Sequence, residues 1–367
     1  MMSDVEAGEK RGRVRVGPCS RPVRVIDKDG RVQHVRCGSR RKKQCESCSY
    51  LAQGDYRRLL KAGYEELESS VGEYAFYLLT LTAPSFGAVH RVPKQGRSEV
   101  RCRCGKFHHA DKDRGLRGVA VDLDSYRFDV AVQWNHNVGR LWNATNTRLK
   151  KLLPTMDYVK VSEWQLRGAL HLHVILRIPR CDWHALVTAP GSHGGDVTQL
   201  IRQQVSDVVV DNRWRWGAKA LDIREIKTGE DRKKAARYLA KALAYVTKDV
   251  SEDGEWARDW RAREHFDRLD GAARDMNCGQ CSGGAMACGR LCHRRWGARS
   301  STMSKSRGGV HRRGWCDLRK MDLVRTRREF AEKMTLLEQA QEQLDAVLRA
   351  ESGGLWRMRS VDERVRG

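Results

Sequence analysis

Segment 161–176, VSEWQLRGALHLHVIL, constrains the fold more than any other part of the chain. Two strand-like runs flank Leu166, Arg167 and Gly168, and a three-residue hairpin loop built on a type I turn wants glycine at its last, left-handed position. That loop predicts a fixed antiparallel register: Gln165 opposite Ala169, Glu163 opposite His171, and Val161 opposite His173. Directly opposed residues share a face, with Cβ atoms about 4.5 to 5.5 Å apart, and His173, two residues on, lies on the same face as His171. One carboxylate and two imidazoles therefore form one patch, while Trp164, Leu170, Leu172 and Val174 face the core. A slip of one residue would send Glu163 to the opposite face. Two strand histidines that satisfy ordinary hydrogen bonds are the plain alternative.

Two neutral imidazoles and a carboxylate make a facial set of three ligands with coordination positions left open. Open positions belong to a catalytic ion, so Glu163, His171 and His173 are the candidate catalytic metal ligands. Mg²⁺ or Mn²⁺ is expected if the substrate is a phosphate, although histidine suits Zn²⁺ or Fe²⁺ equally.

Around the hairpin, 75–87 reads as a strand entering a Pro/Gly turn. Val130, Trp134, Val138, Leu141, Trp142, Thr145 and Leu149 repeat every 3.6 residues and predict a helix over 129–152, stopped by Pro154. A helical stretch over about 183–210, broken by APGSHGGD, precedes a strand at 218–227 and a helix over 231–249 with Asp231 at its N-cap. Paired strands with intervening helices predict an α+β fold with a central antiparallel sheet flanked by helices, of the ferredoxin-like class. The expected organisation is a flexible basic arm (1–18), a cysteine-rich zinc-binding unit (19–74), and a catalytic unit (75–250) with an insertion at 88–126. An irregular Cys/Arg-rich region (253–320), an amphipathic helix (321–352) and a tail (353–367) follow. The seam of that helix is Phe330, Met334, Leu337, Leu344 and Leu348, interrupted by Gln341.

Lys and Arg outnumber Asp and Glu by 70 to 46, a net charge of +24 spread along the chain, which points to a polyanionic partner, most simply nucleic acid. No run approaches the roughly 20 apolar residues of a membrane span. The polar, basic N-terminus lacks the apolar core of a signal peptide, so the expectation is a cytoplasmic protein without a membrane partner. The 12 cysteines then suggest metal sites rather than disulfides. Cys19, Cys37, Cys45 and Cys48 include a CxxC and form the best structural Zn²⁺ candidate. Cys102 and Cys104, with His108 or His109, suggest a second, and Cys278, Cys281, Cys288 and Cys292, with His293 as a substitute, a third. Cys181 and Cys316 read as ordinary buried thiols.

In YLAKALAYVTK, Tyr238, Lys241, Tyr245 and Lys248 lie at i, i+3, i+7 and i+10 on one helix face. A phenol of pKa about 10 becomes a nucleophile near neutrality only beside cations, which the lysines supply. A helix with tyrosines packed on the sheet and solvated lysines is the alternative.

With HLH, the acid eight residues before it, and YLAK in order, the chain resembles the HUH endonuclease superfamily. Within it the likeness is to rolling-circle replication initiators of actinobacterial plasmids and integrative elements. LLTLTAPSFG, CGSRRKKQCESC, CRCG, WNHNVGRLWNATNTRL, ALDIREI and STMSKSR carry the likeness over roughly 19–310. The resemblance implies nicking of single-stranded origin DNA by a tyrosine, leaving a 5′-phosphotyrosine and a 3′-hydroxyl primer, with later rejoining of strands. The family motif commonly reads YLAKYxTK, whereas ALA intervenes here, so Tyr238 in the intact YLAK is the expected nucleophile and Tyr245 the alternate, with Lys241 and Lys248 as their cations. No GxxxxGK[ST] loop is present, so a host helicase and a host DNA polymerase are expected partners. Rival readings are an HUH transposase or relaxase, and a non-enzymatic zinc-stabilised DNA-binding protein.

Overall fold

The computed structural model describes residues 17–65, 74–188, 196–239, 259–281, 288–299, 303–309 and 312–362, apart from 27, 41, 43, 98, 219–220, 228–229, 232–233 and 236–237. The chain forms two compact units, Met1–Asp317 and Leu318–Gly367.

The first unit opens with a two-stranded ribbon, β1 (Val23–Ile26) and β2 (Val32–Val35), and helix α1 (Glu46–Glu65). Strand β3 (Tyr74–Thr82), helix α2 (Phe128–Leu152) and strands β4 (Asp157–Trp164) and β5 (Leu170–Pro179) follow. Helices α3 (Arg180–Thr188) and α4 (Val197–Ser206) lead to β6 (Asp222–Glu225), and the described residues of 230–239 are helical. Helix α5 (Trp260–Asp275), strand β7 (Met303–Lys305) and a ribbon of β8 (Arg307–Gly309) and β9 (Arg312–Gly314) complete it. Among the described residues the central sheet has five strands in the order β6-β3-β5-β4-β7, every neighbouring pair antiparallel.

Alternation sorts the side chains of this sheet. Tyr77, Leu79 and Leu81 of β3 and Leu170, Leu172, Val174, Leu176 and Ile178 of β5 join Trp134, Val138, Leu141, Trp142 and Leu149 of α2 in the main core. The α2 stripe is the one that its 3.6-residue period predicts. Asp196 caps α4 by accepting from the Thr198 and Gln199 amides at 2.9 and 3.3 Å. The other face of the sheet carries Asp157, Glu163, His171, His173 and Arg177, which share it by register.

Arg177 ties that second face together. Its guanidinium pairs with Asp157 at 2.7 Å and donates to the carbonyls of Gly63 in α1, Gly314 and Trp315, while Ser306 donates to Asp157 at 2.8 Å. Gly63 has no room for a Cβ because the Trp315 indole lies against it.

The structure departs from the sequence expectations at several points. Region 253–320, expected to be irregular, contains α5, whose buried stripe is Ala262, His265, Phe266, Leu269 and Ala273. Two alanines and a histidine in that stripe conceal its period from a hydropathy reading. The region also contains β7, whose three half-buried polar or soft residues owe their strand pairing to the free edge of β4. Glu230 and Asp231 are both helical, so Asp231 lies inside its helix and not at the cap. Cys181 is exposed because α3 buries none of its residues, whereas Cys316 is buried.

The second unit is helix α6 (Lys320–Asp362), which continues through most of the segment expected to be a tail. Leu337, Leu344 and Leu348 of its expected seam are exposed. Among the described residues no helix is long and apolar enough to cross a membrane.

Candidate active site

The β4–β5 hairpin has the register that its loop predicts. Glu163 pairs with His171 and Val161 with His173; the Gln165 amide donates to Ala169 at 2.8 Å, and the Gly168 amide closes the turn onto Gln165 at 3.0 Å. Gly168 has φ +77°, which L residues rarely adopt, and a Cβ there would run into Leu269.

One side chain of the loop itself and one from α2 lock the loop. Arg167 donates back to the carbonyls of Pro84 and Ala83 at 2.9 and 3.0 Å. Asn135 of α2 is fully buried: its Nδ2 donates to the carbonyls of Gly168 and Trp296, both at 2.8 Å, and its Oδ1 accepts from the Leu170 amide at 2.8 Å. Each buried group left without a partner costs about 1 to 3 kcal/mol. Asn135→Ala is therefore expected to destabilise the protein by about 3 kcal/mol in denaturant titration; a loss below about 1 kcal/mol would show that the loop does not depend on it.

At the patch, Glu163 Oε2 lies 3.0 Å from His171 Nε2 and 2.8 Å from His173 Nε2, and the two Nε2 atoms are 3.1 Å apart. For an ion bound at about 2.1 Å, neighbouring ligands of an octahedron are about 3.0 Å apart. The three atoms therefore fit one octahedral face, which leaves the remaining positions of such an ion open. His173 is fully buried, and its Nδ1 lies 3.3 Å from the Thr80 hydroxyl on β3, which leaves Nε2 aimed at the patch. Burial alone would raise the Glu163 pKa, but hydrogen bonds from both histidines outweigh it and bring it down to about 2. Burial, assisted by His173, lowers the His171 pKa against the pull of Glu163. An ionised carboxylate and a neutral imidazole are the states in which these groups ligate.

Tyr238, half-exposed on the neighbouring helical segment, brings its hydroxyl to 3.4 Å from His173 Nε2, the rings meeting edge to face at 4.8 Å. Burial and the Glu163 and Asp222 carboxylates raise its pKa, opposed by Arg224. Lys241, Tyr245 and Lys248 lie outside the described residues. Thr80, Asp222 and Arg224 are site neighbours that the sequence reading did not single out; the alternation of LTLT and DIRE onto this face was the available signal.

Among the described residues three further groups of ligand atoms converge within 4.8 Å: Cys19, Cys37, Cys45 and Cys48; His90, Cys102, Cys104 and His108; and Cys278, Cys281, Cys288 and His293. The second has His90 as its fourth member, twelve residues before Cys102. His109 is exposed beside Glu99 instead. In the third, His293 takes the place expected of Cys292, whose buried side chain belongs to the core.

With this geometry established, residues 11–316 match the family described as RepSA, replication initiator protein, pSAM2. The chain belongs to this family. The matched segment ends beside Asp317, where the first compact unit ends, so α6 lies beyond the family segment. A protein of Streptomyces ambofaciens described as "Replication initiator protein" is 30% identical over 281 residues, 67% of this chain. The match spans 59% of that relative's length. No solved structure matches the chain.

Proposed function

We propose that this member of the RepSA family is a metal-dependent origin-nicking enzyme of the HUH type, which initiates rolling-circle replication by tyrosine attack on single-stranded DNA. The observation that carries this reading is the Tyr238 hydroxyl 3.4 Å from His173 Nε2, beside three side-chain atoms that fit one face of a coordination octahedron. The net charge of +24 supports a nucleic-acid partner.

Glu163, His171 and His173 would hold Mg²⁺ or Mn²⁺, which when bound supplies Lewis acidity at a phosphate oxygen. Tyr238, its phenol proton released to solvent, attacks phosphorus from the side of the patch, forming the Oη–P bond as the bond to the 3′ oxygen breaks. The 3′ oxygen takes a proton from solvent, leaving a 5′-phosphotyrosine and a primer end for a host polymerase. Arg224, whose charge already opposes the elevation of the Tyr238 pKa, is placed to favour the phenolate. Retention of the phosphoester lets the same site rejoin strands without ATP. A host helicase would open the duplex.

Thr80 orients His173, and loss of such an outer partner typically costs 10- to 100-fold in metal affinity. Thr80→Val is expected to raise the Mn²⁺ concentration for half-maximal nicking at least about 10-fold; an unchanged titration would deny it that role. The class itself is tested by incubating the protein and Mn²⁺ with labelled single-stranded oligonucleotides from the region upstream of its own gene. A denaturation-resistant protein–DNA adduct is expected. Binding without cleavage would favour a zinc-stabilised DNA-binding protein instead.

A further inference from the structure

We propose that His90, Cys102, Cys104 and His108 hold a structural zinc ion in the 88–126 insertion, and that this site braces the loop of the β4–β5 hairpin. A tetrahedral zinc ion has bonds of about 2.3 Å to sulfur and about 2.0 Å to nitrogen, so its ligand atoms are separated by about 3.8 Å for S–S, 3.5 Å for S–N and 3.3 Å for N–N. His90 Nδ1 and His108 Nε2 are 3.2 Å apart, Cys102 Sγ and His90 Nδ1 3.6 Å, and Cys104 Sγ and His108 Nε2 3.3 Å. These are close to three of the six edges of such a tetrahedron, and all four ligand atoms lie within 4.8 Å of one another.

The surroundings are those of a metal site. His108 Nδ1 faces Asp113 Oδ2 at 3.2 Å, an acid–imidazole pair that leaves Nε2 free to ligate. The Arg91 amide donates to Cys102 Sγ at 3.4 Å. Asp113 is held in turn by the His109 amide at 2.8 Å. His90, Cys102 and His108 are buried, so an ion held by them would add its binding energy to the folding of the insertion.

From this site a chain of hydrogen bonds runs to the hairpin. The His90 amide donates to Val119 at 2.7 Å and its carbonyl accepts from Gly118 at 3.1 Å, beside a bridge between Val89 and Ala120. The Ala120 amide donates to His265 Nδ1 at 3.3 Å, and His265 Nε2 donates to the Arg167 carbonyl at 3.3 Å. His265 is fully buried between the rings of Tyr126 and Phe128. Gly118 lies so close to Leu166 and Arg167 that a Cβ would collide with both. The insertion thus presses on the residues that set the register of Glu163 against His171.

The other two clusters also bring four ligand atoms within 4.8 Å of one another. Cys19 Sγ lies 3.8 and 3.6 Å from Cys45 and Cys48. Cys278 Sγ lies 3.2 and 3.9 Å from Cys281 and Cys288, Cys281 Sγ lies 3.4 Å from His293 Nε2, and His293 Nδ1 faces the Ala273 carbonyl at 2.8 Å. Three tightly held zinc ions per chain are therefore expected.

The test is metal analysis of the full chain and of a Cys102→Ser/Cys104→Ser variant, with Co²⁺ exchange as the spectroscopic arm. Thiolate-to-cobalt charge-transfer bands arise only from cysteine-bearing sites, so the hairpin ion does not contribute and a failure of the nicking proposal is read separately. The expected result is three zinc ions in the parent, two in the variant, and a loss of about two ninths of the charge-transfer intensity, the share of two cysteine ligands among the nine of the three clusters. Equal zinc in both proteins would overturn the site. If the double variant does not fold, Asp113→Asn serves: one zinc of three should be released to a competing chelator with affinity lowered about 10-fold or more, and release identical to the parent would overturn the proposal. The bracing role is read by amide hydrogen exchange, expected to speed up at Gly168 and Leu170 in the zinc-depleted protein; unchanged protection there would refute it.

Discussion

Tyr238→Phe is expected to abolish covalent capture of origin DNA and to lower nicking by at least about 10³-fold, the scale on which removal of a nucleophile acts. The melting temperature should hardly change, because Tyr238 is half-exposed and its hydroxyl reaches His173 at 3.4 Å without closing a buried network. Tyr245→Phe should keep most of the activity. Gel assay of denaturation-resistant adducts, beside thermal melts of the same preparations, separates a chemical from a folding effect. Capture that survives in Tyr238→Phe and disappears in Tyr245→Phe would transfer the role to Tyr245. His171→Ala should also remove capture, since the ligand set of Glu163, His171 and His173 then has one member fewer.

The second large effect concerns stability. Arg177 and Asp157 form a buried ion pair at 2.7 Å, and Arg177 also serves three carbonyls from α1 and the stretch around β9. Arg177→Ala leaves the Asp157 carboxylate buried without its arginine partner, the Ser306 hydroxyl still donating to it at 2.8 Å. Breaking a buried pair on one side costs about 3 to 5 kcal/mol, which lowers the melting temperature by on the order of 10 °C in a unit of this size. Replacing both partners, Arg177→Met with Asp157→Leu, should recover a large part of the loss, because the cost lies in the uncompensated charge and not in the absent attraction. Equal melting temperatures for the single and double variants would contradict that assignment.

The hairpin was legible in the sequence because its information is local. Gly168 fixes the loop, the loop fixes the register, and period-two alternation then places Glu163, His171 and His173 on one face. The α2 stripe was legible for the same reason, with apolar residues at one period over seven turns. What escaped was what distant segments contribute. Asn135 sits on the buried face of α2, and only the folded chain shows that it serves Gly168, Leu170 and Trp296. His90 joins Cys102 and Cys104 through a loop that returns beside Val119, so motif spacing has no means of finding it. Four cysteines in a row of spacings cannot reveal that His293 is the residue that joins Cys278, Cys281 and Cys288. Strand β7 has three residues and no pattern, and its assignment depends on the edge of β4 that it completes.

The central claim is that Tyr238 attacks the origin phosphate at the patch of Glu163, His171 and His173. It is tested most directly by trapping the protein on a single-stranded origin oligonucleotide with Mn²⁺, digesting both components, and sequencing the nucleotide-bearing peptide by mass spectrometry. The expected product is a 5′-phosphonucleotide on Tyr238 in a peptide containing YLAK. A nucleotide on Tyr245, or cleaved DNA with no modified tyrosine, would contradict it.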